Sequence, residues 1–219
     1  MRNINIFTDG SITKTMYGET IGCSGAILME DQNICKYRIT RDSTNNIAEI
    51  TAIKLAIELA IENGFNNITI WSDSQWSIYG LTKWVRSWMK NMENYVMMNS
   101  SGQPVKNQQI FLSIMKMIVE NNLYVNFYHI KGHVDTNNIK SVNHAVSVFY
   151  KANNLAISRD KIYRMARMNN IVDDTTRKLL DDHRMVAPIF LHRGIVNPIL
   201  DKEFLSRYYS LVTLGGHKI

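Results

Sequence analysis

The sequence predicts an α/β domain in which helices cover the faces of a mixed sheet. Short apolar runs bounded by turn residues predict strands, and the apolar period becomes helical at Asn46. The predicted order is three strands, a helix, a strand, further helices, a strand and a helix, an order typical of a mixed sheet with helical layers. A chain of 219 residues, 45% of them hydrophobic, is long enough to bury a core of this kind.

The first half of the chain carries the clearest local patterns. Apolar runs predict three strands, over residues 4–9, 21–29 and 34–40. The polar connection between the second and third runs is short, which favours a hairpin. From Asn46 to Glu62 the period is helical, and Asn63-Gly64 ends this predicted helix.

The second half begins with a buried strand over residues 67–71, which runs into Ser72-Asp73-Ser74. Two or three helices follow, interrupted by a polar loop over residues 99–104, and a fifth strand is predicted over residues 124–130. Beyond His133 the pattern is helical with loops, and residues 185–219 carry no pattern that assigns them to an element.

Composition narrows the class of protein. No stretch approaches the ~18 apolar residues that a membrane span needs, and the N-terminus lacks the layout of a signal peptide. Cys23 and Cys35 lie outside any metal or redox spacing, so we expect reduced thiols in a cytoplasmic protein with no membrane partner. The net charge of +6 favours a polyanionic partner, and a monomer is the default expectation.

Two aspartates occupy equivalent places in the predicted fold. Asp9 and Asp73 each follow an apolar strand and each precede a small residue. Because active sites collect at the carboxyl ends of parallel strands, these two carboxylates could converge on one cleft. The alternative is that each residue opens a turn or caps a helix, as Asp often does.

Glu49 lies on the apolar face of the helix that begins near Asn46, together with Ala52 and Ile53. A carboxylate on a buried face is costly unless it meets a cation, although Asn46 and Glu49 could also form a capping box. Clustered carboxylates without a Cys or His cluster suit Mg²⁺ or Mn²⁺ rather than zinc. Two such ions, about 4 Å apart, can activate water and stabilise a leaving oxygen in phosphodiester hydrolysis.

Six short motifs occur in the order and spacing of ribonuclease HI: Thr8-Asp9-Gly10-Ser11, Thr44–Glu49, Ser72-Asp73-Ser74-Gln75, Gly80–Trp84, Gly102–Asn107 and Lys131-Gly132-His133. From residue 4 to residue 133 the chain therefore resembles the type 1 ribonuclease H family. The resemblance implies a five-stranded mixed sheet of the ribonuclease H-like fold. It also implies an endonuclease that uses two Mg²⁺ ions, with Mn²⁺ as an alternative, to cut the RNA strand of RNA–DNA hybrids. The expected products carry 5′-phosphate and 3′-hydroxyl ends.

The resemblance also implies individual roles. Asp9, Glu49 and Asp73 would bind metal, and His133 would assist proton movement or product release. Contacts with the hybrid would come from Thr44, Asn45, Asn46, Gln75, Lys83, Trp84 and Trp88. Short amides and hydroxyls suit the shallow minor groove of a hybrid, and cations among aromatics suit phosphate contact and stacking. The alternatives are cap and turn chemistry for the polar residues, and burial of the two tryptophans.

The family pattern includes a fourth carboxylate about ten residues after the histidine, at the start of the last helix, and no Asp lies there in this chain. Asn153 lies in a similar motif, but its amide would predict weak metal binding. Asp173 has the right local spacing, and we predict it as the fourth ligand, with Asp174 as its substitute if the register shifts by one. This choice makes residues 134–168 a helical insertion; ordinary helix N-terminal charge is the alternative for the two aspartates.

We therefore predict a ribonuclease H-like domain over residues 1–184 and a C-terminal extension over residues 185–219, whose role is unknown and which we expect to pack on the domain. Two other functions stay open. A catalytically silent module that binds hybrids is favoured if Asn153 fills the fourth position. A DNA-acting nuclease of the same fold is the other, and the Thr44-Asn45-Asn46 and Gln75 motifs argue against it.

Overall fold

The computed structural model describes residues 3–183 and 202–219. The first half contains β1 (Ile4–Lys14), β2 (Thr20–Leu28), β3 (Cys35–Arg41), α1 (Asn45–Glu62), β4 (Asn67–Ser72), α2 (Gln75–Tyr79), a π-helical turn (Gly80–Trp84) and α3 (Val85–Lys90). The second half contains α4 (Gln108–Glu120), β5 (Tyr124–His129), α5 (Ile139–Asn153), α6 (Arg159–His183), α7 (Lys202–Leu211), β6 (Val212–Leu214) and β7 (His217–Lys218).

The strands form one mixed sheet in the order β3-β2-β1-β4-β5-β6-β7. β1 is antiparallel to β2 and parallel to β4, and β4, β5 and β6 are parallel to one another. The predicted mixed α/β sheet is confirmed, but the predicted count of five strands is wrong. β6 and β7 extend the sheet beyond β5, with β6 paired on β5 and β7 paired on β6. Segments of three and two residues are too short to show an alternating pattern in the sequence.

Apolar cores lie on both faces of the sheet, which is why its central strands are buried on both sides. Ile6 and Ile70 belong to the core shared with α1 and α4, whereas Phe7 and Trp71 belong to the core beneath α5 and α6. The Trp71 ring stacks on Phe149 of α5 at a centroid distance of 6.1 Å. These two layers hold the middle of β1 and the carboxyl end of β4 in fixed positions. The predicted end of the first strand at residue 9 is wrong, because β1 continues through Asp9 to Lys14 and pairs with β2 along this length.

α1 begins one residue earlier than predicted, and its cap is different. The Thr44 hydroxyl accepts a hydrogen bond from the Ile47 amide at 3.3 Å, so Thr44 is the N-cap residue. Asn46 lies inside the first turn, and the capping box that paired it with Glu49 is therefore wrong. Glu49 is consequently free of a capping role.

The segment predicted as a helical insertion contains α5 and the first turns of α6. The expectation that the last helix starts near Asp173 is wrong, because α6 begins at Arg159 and continues without a break to His183. Asp173 therefore lies in the second half of a 25-residue helix. The insertion and the last helix of the family pattern have become one element.

Residues 202–219 pack on the domain, as expected for the C-terminal extension. Tyr208 of α7 is fully buried, and its hydroxyl donates a hydrogen bond to the Leu81 carbonyl at 2.9 Å. The predicted boundary between residues 184 and 185 lies outside the described residues. Cys23 is buried and Cys35 is exposed, and both are free thiols. In the described part of the chain, no helix is both long enough and apolar enough to span a membrane.

Candidate active site

Three of the predicted carboxylates converge beside the central strands β1 and β4. Ligand atoms of Asp9, Glu49 and Asp73 all lie within 4.8 Å of one another. The parallel register explains the first and last of these, because Thr8 of β1 pairs with Ser72 of β4. The next residue of each chain segment is therefore an aspartate at the same level of the sheet.

Two glycines bring the remaining backbone close to the cluster. A Cβ atom on Gly10 would lie 2.3 Å from the Glu49 amide nitrogen, so only glycine lets α1 pack directly against β1 here. A Cβ atom on Gly132 would lie 2.1 Å from Asp73 Oδ2, so the loop before His133 closes over that carboxylate. Both glycines belong to motifs that resemble those of ribonuclease HI, Thr8-Asp9-Gly10-Ser11 and Lys131-Gly132-His133.

Asp173 is buried and lines the same pocket of about 680 Å³ as the other three carboxylates. Arg177 Nε donates to Asp173 Oδ1 at 2.7 Å, and His133 Nδ1 lies 3.1 Å from Asp173 Oδ2. Asp174, the substitute, is exposed and does not line this pocket. The structure thus brings the predicted Asp173 and His133 to the cluster.

Asn153, the competing fourth position, has a different environment. Its amide oxygen accepts from the His129 amide at 2.9 Å, and its amide nitrogen donates to the carbonyls of His129 and Phe149 at 2.8 and 2.9 Å. This buried side chain therefore ties the end of α5 to β5. It does not line the carboxylate pocket.

The electrostatics of the cluster are those of crowded, buried acids. Burial raises the pKa of Asp9 from 3.8 to about 7, and the charges of Asp73 and Asp173 add to the rise. Burial also raises the pKa of Glu49 well above its ordinary value, with further contributions from Asp73 and Asp9. The pKa of Asp73 rises through burial, opposed by a hydrogen bond from Asn169.

Two oxygens of this cluster have no hydrogen-bond donor among the described residues. Glu49 Oε2 and Asp73 Oδ1 are buried and accept no hydrogen bond from the described residues. Unpaired buried carboxylate oxygens are costly unless a cation binds them. An oxygen-only donor set of this kind fits Mg²⁺ or Mn²⁺.

A sequence-family profile described as RNase H matches residues 1–151, which is more than half of the chain. The chain belongs to the ribonuclease H family. Ribonuclease H of Clostridium botulinum (strain Hall) is 32% identical over 137 residues, which cover 62% of this chain and 87% of that protein. Ribonuclease HI of Haemophilus influenzae (strain KW20/Rd) is 33% identical over 132 residues, covering 60% and 79% respectively. The crystal structure of RNase H1 from Halobacterium salinarum NRC-1 covers 68% of this chain and 94% of that chain, at 15% identity and a TM-score of 0.43.

Membership of the ribonuclease H family confirms that the chain is a metal-dependent endonuclease. The family match ends at residue 151, before α6 begins at Arg159. The position of Asp173 beside the other carboxylates is therefore a finding of the structure, independent of the match.

Three residues of α6 support the cluster and were missed by the sequence reasoning. Thr176 Oγ1 donates to Asp9 Oδ2 at 3.3 Å, Asn169 Nδ2 lies 3.5 Å from Asp73 Oδ2, and Arg177 pairs with Asp173. Asn169 lies four residues before Asp173, Thr176 three residues after it and Arg177 four residues after it, which places them on the same helical face. That spacing could have found them once Asp173 was taken as the centre of a helix.

A fourth missed residue acts from β5. His129 Nε2 lies 3.1 Å from the Asp73 carbonyl oxygen, and burial lowers the pKa of this histidine. A lone histidine two residues before the Lys131-Gly132-His133 motif carries no signal in the sequence. The structure places it directly behind the strand-end aspartate.

The residues predicted to contact the hybrid divide between two adjoining grooves. Asn45, Asn46 and Gln75 line the carboxylate pocket. A second groove of about 980 Å³ is lined by residues that include Thr44, Asn46, Trp84, Trp88 and Lys106. Asn46 borders both, so the two grooves meet there.

Of the predicted hybrid contacts Lys83, Trp84 and Trp88, only the two tryptophans line this second groove. Trp88 is 8% exposed and packs against Phe111, whereas Trp84 is 36% exposed at the groove surface. Trp88 therefore agrees with the alternative in which the tryptophans are buried, whereas the Trp84 ring stays accessible to a ligand in the groove. Lys83 lies outside the groove, with its ammonium 3.7 Å above the Tyr79 ring.

Proposed function

We propose that this enzyme hydrolyses the RNA strand of RNA–DNA hybrids with two divalent ions, Mg²⁺ or Mn²⁺, and leaves 5′-phosphate and 3′-hydroxyl ends. The observation that carries the proposal is the convergence of Asp9, Glu49 and Asp73 within 4.8 Å, with two buried oxygens unpaired. When bound, divalent ions supply an activated water and charge stabilisation for the leaving oxygen.

Four carboxylates would hold these ions. Asp9, Glu49 and Asp73 offer oxygens from three different elements, and Asp173 supports the set from α6. Because Arg177 forms an ion pair with Asp173, the fourth carboxylate adds less repulsion than an unpaired one would. Bound cations would lower the raised pKa values of these carboxyl groups, because they stabilise the ionised forms.

His133 is suited to move protons beside the cluster. Its side chain is 64% exposed and lies 3.1 Å from Asp173, so it can exchange protons with solvent and still face the pocket. The role predicted for it, assistance to proton movement or product release, is compatible with this position.

The groove residues favour a hybrid as substrate. Asn45, Asn46 and Gln75 present short amides at the carboxylate pocket, which suit the base edges and 2′-hydroxyls of a shallow minor groove. Trp84 and Lys106 in the second groove suit the sugar-phosphate of the other strand. A DNA-acting nuclease has no comparable support, and a silent module is disfavoured because Asp173 reaches the pocket.

Labelled RNA–DNA hybrid, double-stranded DNA and double-stranded RNA, each incubated with Mg²⁺ or Mn²⁺, test the proposal. Cleavage of the RNA strand of the hybrid alone is expected, and splinted ligation of the fragments should reveal 5′-phosphates. Intact hybrid at high enzyme concentration in both metals would contradict hybrid cleavage. Loss of double-stranded DNA instead would favour the other nuclease class.

A further inference from the structure

A basic cavity of about 580 Å³ lies apart from the two grooves. Its lining includes five basic side chains and no acidic side chain among the described residues: Lys83, Arg86, Lys151, His217 and Lys218. Arg86 is already committed, since it donates to the Ile219 main-chain oxygen at 3.2 Å. Lys151 and Lys218 are exposed and form no ion pair with a carboxylate in the described parts of the chain.

Three separate segments build this cavity. The π-helical turn supplies Lys83, the end of α5 supplies Lys151, and the β6–β7 hairpin supplies Lys218. The hairpin turn packs tightly on α5, because a Cβ atom on Gly215 would lie 2.2 Å from the Asn153 carbonyl oxygen. The hairpin lies outside residues 1–151, so the family match does not predict this cationic cluster.

One helical face connects the cavity with the active site. Gln75 Nε2 donates to the Tyr79 hydroxyl at 3.0 Å, and the Lys83 ammonium lies over the Tyr79 ring. Gln75 lines the carboxylate pocket, whereas Lys83 lines the basic cavity. At the α-helical rise of about 1.5 Å per residue, which the π-helical turn shortens, Gln75 and Lys83 are separated by no more than about 12 Å along the helix axis. A nucleic-acid strand covers this separation in three to four nucleotides of about 3.4 Å each.

We propose that the basic cavity binds the phosphate backbone of the nucleic-acid substrate, about three to four nucleotides from Gln75. Lysine side chains without a carboxylate side chain as partner attract phosphate oxygens, and lysine binds phosphate as a point charge. The proposal rests on the proposed function for the identity of the substrate as an RNA–DNA hybrid. It assigns a substrate contact to the C-terminal extension, for which the family pattern has no counterpart.

Salt-dependent binding tests this site without catalysis. Fluorescence anisotropy with a labelled hybrid of about 20 base pairs in EDTA compares the wild type with the Lys151→Gln/Lys218→Gln double variant, at salt concentrations from about 50 to about 200 mM. The double variant should bind several-fold more weakly at the lowest salt. Its slope of log K against log salt should be shallower by about 1 to 2, because each lost phosphate contact removes about 0.9.

Lys116→Gln/Lys161→Gln is the matched control, because it removes two exposed or half-exposed lysines that line none of the three cavities. It should keep the wild-type slope, and urea unfolding should show that both double variants are folded. A wild-type slope in the Lys151→Gln/Lys218→Gln variant overturns the proposal, as does an equal loss in the control. Loss of binding to a labelled oligoglutamate with hybrid binding unchanged also overturns it, in favour of an acidic protein partner.

The two proposals fail separately. If the wild type cleaves no hybrid in Mg²⁺ or Mn²⁺, the proposed function is wrong, whereas the slopes in EDTA still measure the phosphate contacts. If cleavage is normal and the slopes are equal, only the basic site is wrong.

Discussion

Removing one charge from the carboxylate cluster should stabilise the metal-free protein. Asp9 is 4% exposed, and its pKa is raised from 3.8 to about 7 by burial and by the charges of Asp73 and Asp173. At about 1.4 kcal/mol per tenfold change in proton affinity, the ionised form costs the folded state about 4 kcal/mol. Asp9→Asn removes this cost while leaving an oxygen that can accept the Thr176 hydrogen bond.

The pH dependence of this effect has a definite sign. Because the folded state holds the Asp9 proton more tightly than the unfolded chain, stability falls as pH rises from about 4 to about 7. Below about pH 4 both states are protonated, and the contribution disappears. The gain from Asp9→Asn should therefore be about 4 kcal/mol at pH 8 and less than about 2 kcal/mol at pH 5.

Urea unfolding in EDTA at these two pH values, followed by tryptophan fluorescence, measures the gain. Asp174→Asn is the control, since it removes the same charge from an exposed position of α6 and should change stability by less than about 0.5 kcal/mol. Excess Mg²⁺ should stabilise the wild type but not Asp9→Asn, because the variant has lost a ligand. If Asp9→Asn is no more stable than the wild type in EDTA at pH 8, the ionised Asp9 carboxylate does not destabilise the metal-free fold, and the reasoning is refuted.

Three further substitutions test the rest of the site. Asp173→Asn should lower the rate of hybrid cleavage more than about 100-fold in a steady-state assay, because loss of a group that only supports the ligands of a metal site already lowers activity about 10–100-fold. Near-normal activity would show that Asp173 is not a metal ligand. Asn153→Asp should lower the free energy of unfolding by about 2 kcal/mol or more, since it places a carboxylate against the His129 carbonyl; increased activity would instead make it the fourth ligand. Gly10→Ala should destabilise the fold by about 1–3 kcal/mol and lower activity, as its methyl group would displace α1, and a fully active, stable variant would contradict this packing.

The sequence by itself determined the three central carboxylates. Asp9 and Asp73 are visible because a short apolar run ends directly before each of them, although β1 itself continues past Asp9 to Lys14. Glu49 is visible because the helical period assigns it to the buried face. These are local signals, since burial periodicity depends on neighbours within a few residues along the chain.

Tertiary structure decided the surroundings of these carboxylates. Local pattern located α6 only in part, and its contact with Asp9 through Thr176 joins residues 167 positions apart. Asn153 resembled a failed ligand in sequence, yet its amide ties α5 to β5 because the helix end docks there. β6 exists as a strand because β5 offers it an edge, and β7 in turn pairs on β6. Such features depend on which surfaces meet after docking, and the polar groups that pair across those surfaces leave no periodic trace in the chain.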